Sequence, residues 1–543
     1  MRRTKLMILF LVIALTGAGL VTSSDTFFQI RKNFTTINEV VSEVSRNYVV
    51  EVDAERMMRR GVNAMLETLD PYTVLIDESQ TSEIDIMTRG TYAGVGIEVG
   101  ARAGQFVVIA PIEGYSAHRK GVRAGDTIIQ VDDIKTDELT MEDLQGLLRG
   151  EPGTSVTLII ERFGIEDPLT FELERERIEV RNVSFAGFAD KEAGVAYVLL
   201  RRFTQNAGND IAEALSELEE QSEVNSLILD LRNNPGGLLS EAVNTVELFL
   251  PEGLEVVRTE GKAESMRQAY RTERPAMFGD RQLVVLQNSG SASSSEIVTG
   301  ALQDHDRAVI VGETSFGKGL VQIVRPLSYN MALKITTSKY FVPSGRSIQS
   351  VDYNAAGGDE ERERIAFETK NGRTVYQAEG ILPDVVIEQP SESMVEVALH
   401  RGNHFFQFAN RYVSENPEAD ASQLSSEELF DKFLEYLDEI EFSYESRSER
   451  MIASLEEQLL AEMPQADVRY IHGLRSQVDE MKETALIDSK DPISTDLLLE
   501  IVSRYEGREG RQKKSLMFDP LVIRSLEILG DRSQYDALLA GDK

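Results

Sequence analysis

The chain has 543 residues, 41% of them hydrophobic and 27% charged; this is ordinary globular composition and excludes wholesale disorder, and the length suggests roughly three or four domains. Acidic residues outnumber basic ones 91 to 57, and a net charge of −34 repels phosphate, which argues against nucleic acid as a partner. There is no cysteine, so disulfides, a thiol nucleophile, Cys-ligated zinc and iron–sulfur clusters are ruled out, and the compartment must be read from elsewhere.

Arg2, Arg3 and Lys5 precede an apolar run from Leu6 to Val21, the pattern of a secretory signal. The expectation is an exported protein, with residues 1–24 as a cleaved signal peptide or a retained membrane anchor. From 27 to about 75 the apolar positions recur at helical spacing, through Ile37, Val40, Val41 and Val44 and then Met57, Met58, Val62 and Met65, until Asp70-Pro71 breaks the pattern. From about 91 to 174 short strands and turns follow (95–99, 106–109, 127–131, 156–161) with one helix at 141–148, the size of a small β-rich module. From about 181 to 389 strands at 195–200, 226–231, 283–286 and 308–311 alternate with helices at 211–220, 238–249 and 296–303, which argues for an α/β layer. Beyond 391 the chain reads as helical and acidic. Ser425-Ser426-Glu427-Glu428 is a capping box, and Phe430, Phe433, Leu434, Leu437 and Ile440 form an apolar stripe, the pattern of a bundle packing on the core or on a partner.

The chemistry concentrates in three stretches. Asn288-Ser289-Gly290-Ser291-Ala292-Ser293-Ser294-Ser295-Glu296 follows an apolar strand and opens a helix, where unpaired N–H groups favour negative charge and an exposed serine can reach a carbonyl. Ser293 with Glu296 also reads simply as an S-x-x-E helix cap. Gly312-Glu313-Thr314-Ser315-Phe316-Gly317-Lys318-Gly319-Leu320-Val321-Gln322 offers a lysine between glycines; a lysine amine held neutral by burial can replace histidine as base. Gln322, four residues on along a strand, shares its face and could orient the amine without adding charge. The plain alternative is a solvated lysine in a glycine turn. Leu229-Asp230-Leu231-Arg232-Asn233-Asn234-Pro235-Gly236-Gly237 ends a strand in a tight turn whose backbone N–H groups converge.

Competing motifs are weaker. Gly312 to Lys318 matches a phosphate loop, but Gly319 stands where Ser or Thr should ligate magnesium. His400 and His404 have metal-ligand spacing without the glutamate of H-E-x-x-H, and His305, the histidine nearest in sequence, is the rival base for a serine hydrolase.

Together these stretches resemble the C-terminal processing peptidases, Ser–Lys proteases that carry a PDZ domain. The resemblance spans roughly 35–390 and rests on S-A-S-x-S-E, G-x-x-x-F-G-K-G-x-V-Q, D-L-R-N-N-P-G-G, Tyr340-Phe341-Val342-Pro343-Ser344-Gly345-Arg346-Ser347-Ile348-Gln349 and Gly380-Ile381-Leu382-Pro383-Asp384. It implies Ser293 as nucleophile, Lys318 as general base, Gln322 as the orienting group, and backbone amides of Gly236, Gly237 and Ser294 as oxyanion donors; Ser294 stands where the family usually has Ala, to which a backbone donor is indifferent. Within Tyr92-Ala93-Gly94-Val95-Gly96-Ile97, the residues Gly94, Val95, Gly96 and Ile97 resemble a PDZ carboxylate-binding loop.

The implied architecture is a multidomain α+β and α/β protein: an N-terminal helical segment (25–80), a PDZ domain (81–176), a Ser–Lys peptidase core (177–390) and a helical acidic extension (391–543). The implied activity is an exported serine endopeptidase that captures protein C-termini and needs no metal or cofactor. Expected partners are protein substrates held by their C-termini, with an adaptor protein, a homo-oligomer (dimer) and membrane association through the N-terminus as further expectations, and no nucleic acid. The expected place is the periplasm or cell envelope, extracytoplasmic. The rivals are a catalytically inactive PDZ scaffold, disfavoured by retention of Ser293, Lys318 and Gln322, and a hydrolase using His305.

Overall fold

The computed structural model describes residues 28, 29, 31–76, 90–102, 104–351, 353, 364–377, 379–388 and 391–541. The expected signal or anchor at 1–24 lies outside them. No helix among the described residues is long and apolar enough to cross a membrane.

The described residues divide into two compact units, one of which gathers the chain up to Ile76 with Gln322–Thr336 and Tyr353. It holds a helix over 31–47, a helix Ala54–Glu67 capped by the Asp53 carboxylate, and a strand Val74–Ile76. The helical pattern was expected to run to about 75, but Val74 and Leu75 are extended and pair antiparallel with Lys334 and Leu333. The switch is made at Asp70, whose carboxylate accepts from the N–H of Tyr72 and of Thr73 and from the Thr73 hydroxyl, closing a turn that lets apolar residues find a strand partner.

The second unit contains the β-rich module, the α/β layer and the C-terminal helices. In the module, strands run in the order Ile97–Arg102, Gln105–Pro111, Thr127–Val131, Ser155–Glu161, Leu169–Glu174, all antiparallel, and Thr91–Gly94 pairs separately with Glu176–Glu179. The helix Met141–Leu148, started by a Thr140/Asp143 capping box, buries Leu144 against Val108, Ile128 and Leu158.

The α/β layer is a sheet in the order Val183–Asp190, Val195–Leu200, Ser226–Asp230, Gln282–Gln287, Val309–Gly312, Val385–Val386, parallel except for the first pair. All six residues of Val195–Leu200 and all five of Ser226–Asp230 are buried, as a parallel sheet covered on both faces requires. Alternate residues serve the two faces. Ala196, Val198, Leu227, Leu229, Leu283 and Val285 pack with the crossover helices Ala207–Gln221, Leu239–Glu247 and Ser294–Asp304. Tyr197, Leu199, Ile228, Val284, Leu286 and Val311 pack instead with Leu521, Val522, Ile528, Leu529 and Tyr535 from the last two helices, Pro520–Gly530 and Arg532–Leu539.

Between these, a helical domain closes its own core from Leu399, Phe405, Phe408, Phe430, Phe433, Leu437, Leu497 and Ile501, with the Phe405 and Phe433 rings stacked at 5.5 Å. Phe430, Phe433 and Leu437 of the predicted stripe are buried there, while Ile440 stays exposed. The same domain rests on the β-rich module: Asn410 Nδ2 donates to the Gly125 carbonyl at 3.4 Å, and the Arg102 guanidinium lies 5.7 Å from the Phe406 ring centre.

Candidate active site

Ser293 follows the strand Gln282–Gln287 and immediately precedes the helix Ser294–Asp304. Its φ of 56° and ψ of −111° are unusual for a residue with a side chain, and such strain persists only where the surroundings enforce it. The enforcement comes from the Asp230–Gly237 turn. The Asn234 carbonyl accepts from the Ala292 N–H (3.0 Å) and the Ser295 hydroxyl (2.8 Å), and the Gly237 carbonyl accepts from the Ser294 hydroxyl (3.1 Å). Ser291 donates its hydroxyl to the Leu231 carbonyl at 2.9 Å. Gly236 sits so close that a Cβ there would meet Ser293 Cβ at 2.9 Å and the Ser294 nitrogen at 2.8 Å. With φ at +94°, that position favours glycine for conformation as well as for space.

The two glycines of the turn differ. The Gly236 N–H is buried and donates to Asn234 Oδ1 at 2.9 Å, so it is engaged inside the turn. Gly237 is exposed, and its neighbours in the turn use the Phe203 strand edge: Phe203 N–H to the Gly236 carbonyl and Leu238 N–H to the Phe203 carbonyl. Gly237 thus lies at the exposed end of the turn, and the Ser294 N–H lies at the first helical position, where the helix leaves its amides without intrahelical partners.

Lys318 joins this corner through its backbone. Glu296, fully buried, accepts four hydrogen bonds: from the Ser315 hydroxyl (2.6 Å) and Gly317 N–H (2.6 Å) at Oε1, and from the Ser293 N–H (2.7 Å) and Lys318 N–H (3.0 Å) at Oε2. Burial pushes its pKa upward against these four donors; since all four partners donate, the ionised carboxylate is the form that the geometry accommodates. On the other side, the buried Tyr340 hydroxyl bridges the carbonyls of Ser293 (3.0 Å) and Lys318 (2.6 Å). One carboxylate oxygen therefore holds both N–H groups and one phenol holds both carbonyls. The peptide units of Ser293 and Lys318 are bracketed side by side, and both residues are half-buried at the surface of the corner.

The Gly312–Gly319 loop is itself clamped. Ser315 N–H donates to the Ile381 carbonyl, Ile381 N–H donates back to the Ser315 hydroxyl (2.7 Å), and Gly319 N–H donates to Gln349 Oε1 (2.7 Å). Its Gly317 and Lys318 amides are spent on Glu296, which leaves no cradle for a nucleotide phosphate and removes the phosphate-loop alternative. Gln322 lies in the other compact unit, where its Nε2 donates to Thr336 Oγ1 at 3.2 Å.

His305 follows the far end of the helix that Ser293 opens, about 16 Å away for 11 residues, and its Nε2 contacts the Glu255 carbonyl at 2.7 Å. It is too distant to take a proton from Ser293, so the rival histidine base fails. His400 pairs with Asp496 (3.1 Å), and the His404 ring lies edge-on to Phe442 at 4.9 Å; the two serve the helical domain.

Sequence reasoning missed Glu296 beyond its capping role and assigned Tyr340 no function. The available signal was a glutamate at the third helical position beside glycine-rich chain that must be held.

In the β-rich module, Gly94 ends one strand and Ile97 begins another. The Val95 and Gly96 carbonyls accept from the Ala117 and Ile112 N–H groups, so they point into the module. Ile97–Arg102 ends the strand order, which leaves an edge for an added strand.

Comparison with known proteins agrees with this architecture. Residues 194–355 match the model of peptidase family S41, 107–162 that of a PDZ domain, and 395–529 that of a probable PDZ-protease C-terminal helical domain. The carboxy-terminal-processing protease of Bartonella bacilliformis is 34% identical over 362 residues, covering 66% of this chain and 76% of that one. The carboxyl-terminal-processing protease of Synechocystis is 36% identical over 344 residues, covering 62% and 72%. Among solved structures, the photosystem II D1 C-terminal processing protease is 26% identical, covers 64% of this chain and 92% of its own, and superposes with a TM-score of 0.36. A serine corner bracketed to a lysine loop, a PDZ module and relatives of this identity and coverage lead to one assignment: the chain belongs to the carboxy-terminal-processing proteases, serine-type peptidases of family S41 with a PDZ domain.

Proposed function

We propose that this protein is an exported endopeptidase that holds the C-terminus of a protein substrate in its PDZ groove and hydrolyses an upstream peptide bond with Ser293 and Lys318. The substrate adds as a strand along Ile97–Arg102, with its carboxylate at the Gly94–Ile97 loop. Ser293 Oγ attacks the scissile carbonyl while the neutral Lys318 amine takes its proton. The tetrahedral oxyanion is met by the N–H groups of Gly237 and Ser294, and Lys318 returns the proton to the leaving amine. Water then attacks the acyl-enzyme by the same route. Gln322 orients the lysine amine. Export follows from the basic-then-apolar N-terminus, which delivers the protein to the cell envelope, and the N-terminal helices serve a dimer.

The observation that carries this reading is the shared bracket of Glu296 and Tyr340 around the peptide units of Ser293 and Lys318. It supports a working pair because it holds the backbones of these two residues side by side at one corner. The test is hydrolysis of a peptide ending in a free carboxylate by Ser293→Ala, Lys318→Ala and His305→Ala. The first two should be inactive and the third near wild type. Full activity of Lys318→Ala would refute the Ser–Lys mechanism.

A further inference from the structure

The start of the helix Pro520–Gly530 meets the Asp230–Gly237 turn at a charged point. Asp519 precedes the helix Pro520–Gly530 and uses its two carboxylate oxygens differently. Oδ1 accepts from the N–H groups of Leu521 (2.9 Å) and Val522 (3.3 Å), capping the helix, while Oδ2 accepts from Arg232 Nη2 at 2.7 Å. Both side chains are largely buried, at 12% exposure for Arg232 and 17% for Asp519. Arg232 is already folded back onto Asp230: its Nε contacts both Asp230 oxygens (3.0 and 2.9 Å) and its N–H donates to Oδ1 (2.9 Å). The Tyr197 hydroxyl donates to Asp230 Oδ2 at 2.6 Å. Burial works against the Arg232 charge, but pairing with Asp230 and then Asp519 more than offsets it, so its pKa stands above the ordinary value.

Arg232 stands at the entrance of the turn that carries Gly237, and its own carbonyl accepts from Arg201 Nη1 at 3.3 Å. Pairing with Asp230 alone would fasten the guanidinium to its own strand end, free to shift with it. Asp519 fastens it instead to a helix packed across the far face of the sheet. We infer that Asp519 is a positioning residue for peptide hydrolysis: through Arg232 it holds the strand exit, and so the Gly237 N–H, where the oxyanion forms. This rests on the reading of Ser293 as nucleophile and Gly237 as donor. Asp519 touches no substrate. The catalytic unit thereby includes a charge supplied nearly three hundred positions further along the chain.

Two substitutions in the full chain separate capping from pairing. Asp519→Asn and Asp519→Ser both keep an N-cap acceptor, since Asn and Ser cap as well as Asp, but each removes the charge facing Arg232. The expected result is about a tenfold fall in kcat per folded molecule for both, with KM within about twofold, the pattern of a lost transition-state interaction, and a lowered melting midpoint because a largely buried pair has lost one partner. Asp519→Glu, which retains the charge, should recover part of kcat. Wild-type kcat in either folded variant would overturn the inference, as would a fall in kcat that merely tracks the loss of folded enzyme. Ser293→Ala, assayed in parallel, separates the two levels. If Ser293→Ala stays active, the nucleophile reading fails; if it is inactive while Asp519→Asn is normal, only the role of Asp519 fails.

Discussion

The two faces of the central sheet are built from the same strands and covered in different ways. On one face lie the crossover helices that leave and re-enter the sheet between neighbouring strands, among them the helix opened by Ser293. On the other lie Leu521, Val522, Ile528 and Tyr535 from the final helices, brought back from the distant end of the chain. On the near face, strand-to-helix turns point helix N-termini and turn amides into one crevice, where the proposed chemistry lies. The far face contributes burial, and it meets the chemistry through Arg232 and by packing Leu521 against Gly312 at the head of the lysine loop.

That contrast can be broken in order of expected effect. Lys318→Ala on the near face should cost about 10⁴-fold in kcat, as loss of a member of a catalytic set does, with the melting midpoint unchanged. Leu521→Ala on the far face should do the reverse. Truncating a side chain that is 2% exposed should cost about 2–5 kcal/mol of stability in a denaturation curve, while kcat per folded molecule at low temperature stays near wild type. Gly236→Ala should lower kcat by about a hundredfold, the scale of losing one oxyanion donor, because the new Cβ meets Ser293 and Ser294 and displaces the turn. The smallest effect belongs to Tyr535→Phe. Its hydroxyl accepts from the Leu283 N–H (2.9 Å) and donates to the Leu283 carbonyl (3.1 Å), so its loss should cost about 1–3 kcal/mol of stability and no activity. A Leu521→Ala enzyme with normal stability and collapsed kcat would dissolve the distinction between the faces.

The near face and the β-rich module were largely legible in the sequence because their signals are local. The strands at 195–200 and 127–131 and the helix at 141–148 fall where periodicity puts them, and the serine, lysine and Asn-Pro-Gly-Gly stretches are compact motifs. What could not be read is closure over distance. Glu296 announces a helix cap, but its second duty depends on a loop that returns some twenty residues later. Tyr340 belongs to a recognisable run, yet nothing local says that its hydroxyl spans two carbonyls. The extension was expected to pack on the core or on a partner; that its last two helices pack on one face of the sheet has no local signal, because an apolar helical stripe is the same whatever it meets. Val74 and Leu75 mislead for a related reason: a short apolar run fits helix and strand alike, and only the partner strand decides.

The proposed activation of the Ser293 hydroxyl by a neutral Lys318 amine can be followed through the rate at which a fluorophosphonate modifies the intact enzyme as pH is varied, with the modified residue mapped by mass spectrometry. The expected result is a single adduct on Ser293, a rate that rises with pH as the amine loses its proton, and no measurable reaction in Lys318→Ala. An adduct on another residue, or undiminished labelling of Ser293 in Lys318→Ala, would contradict it.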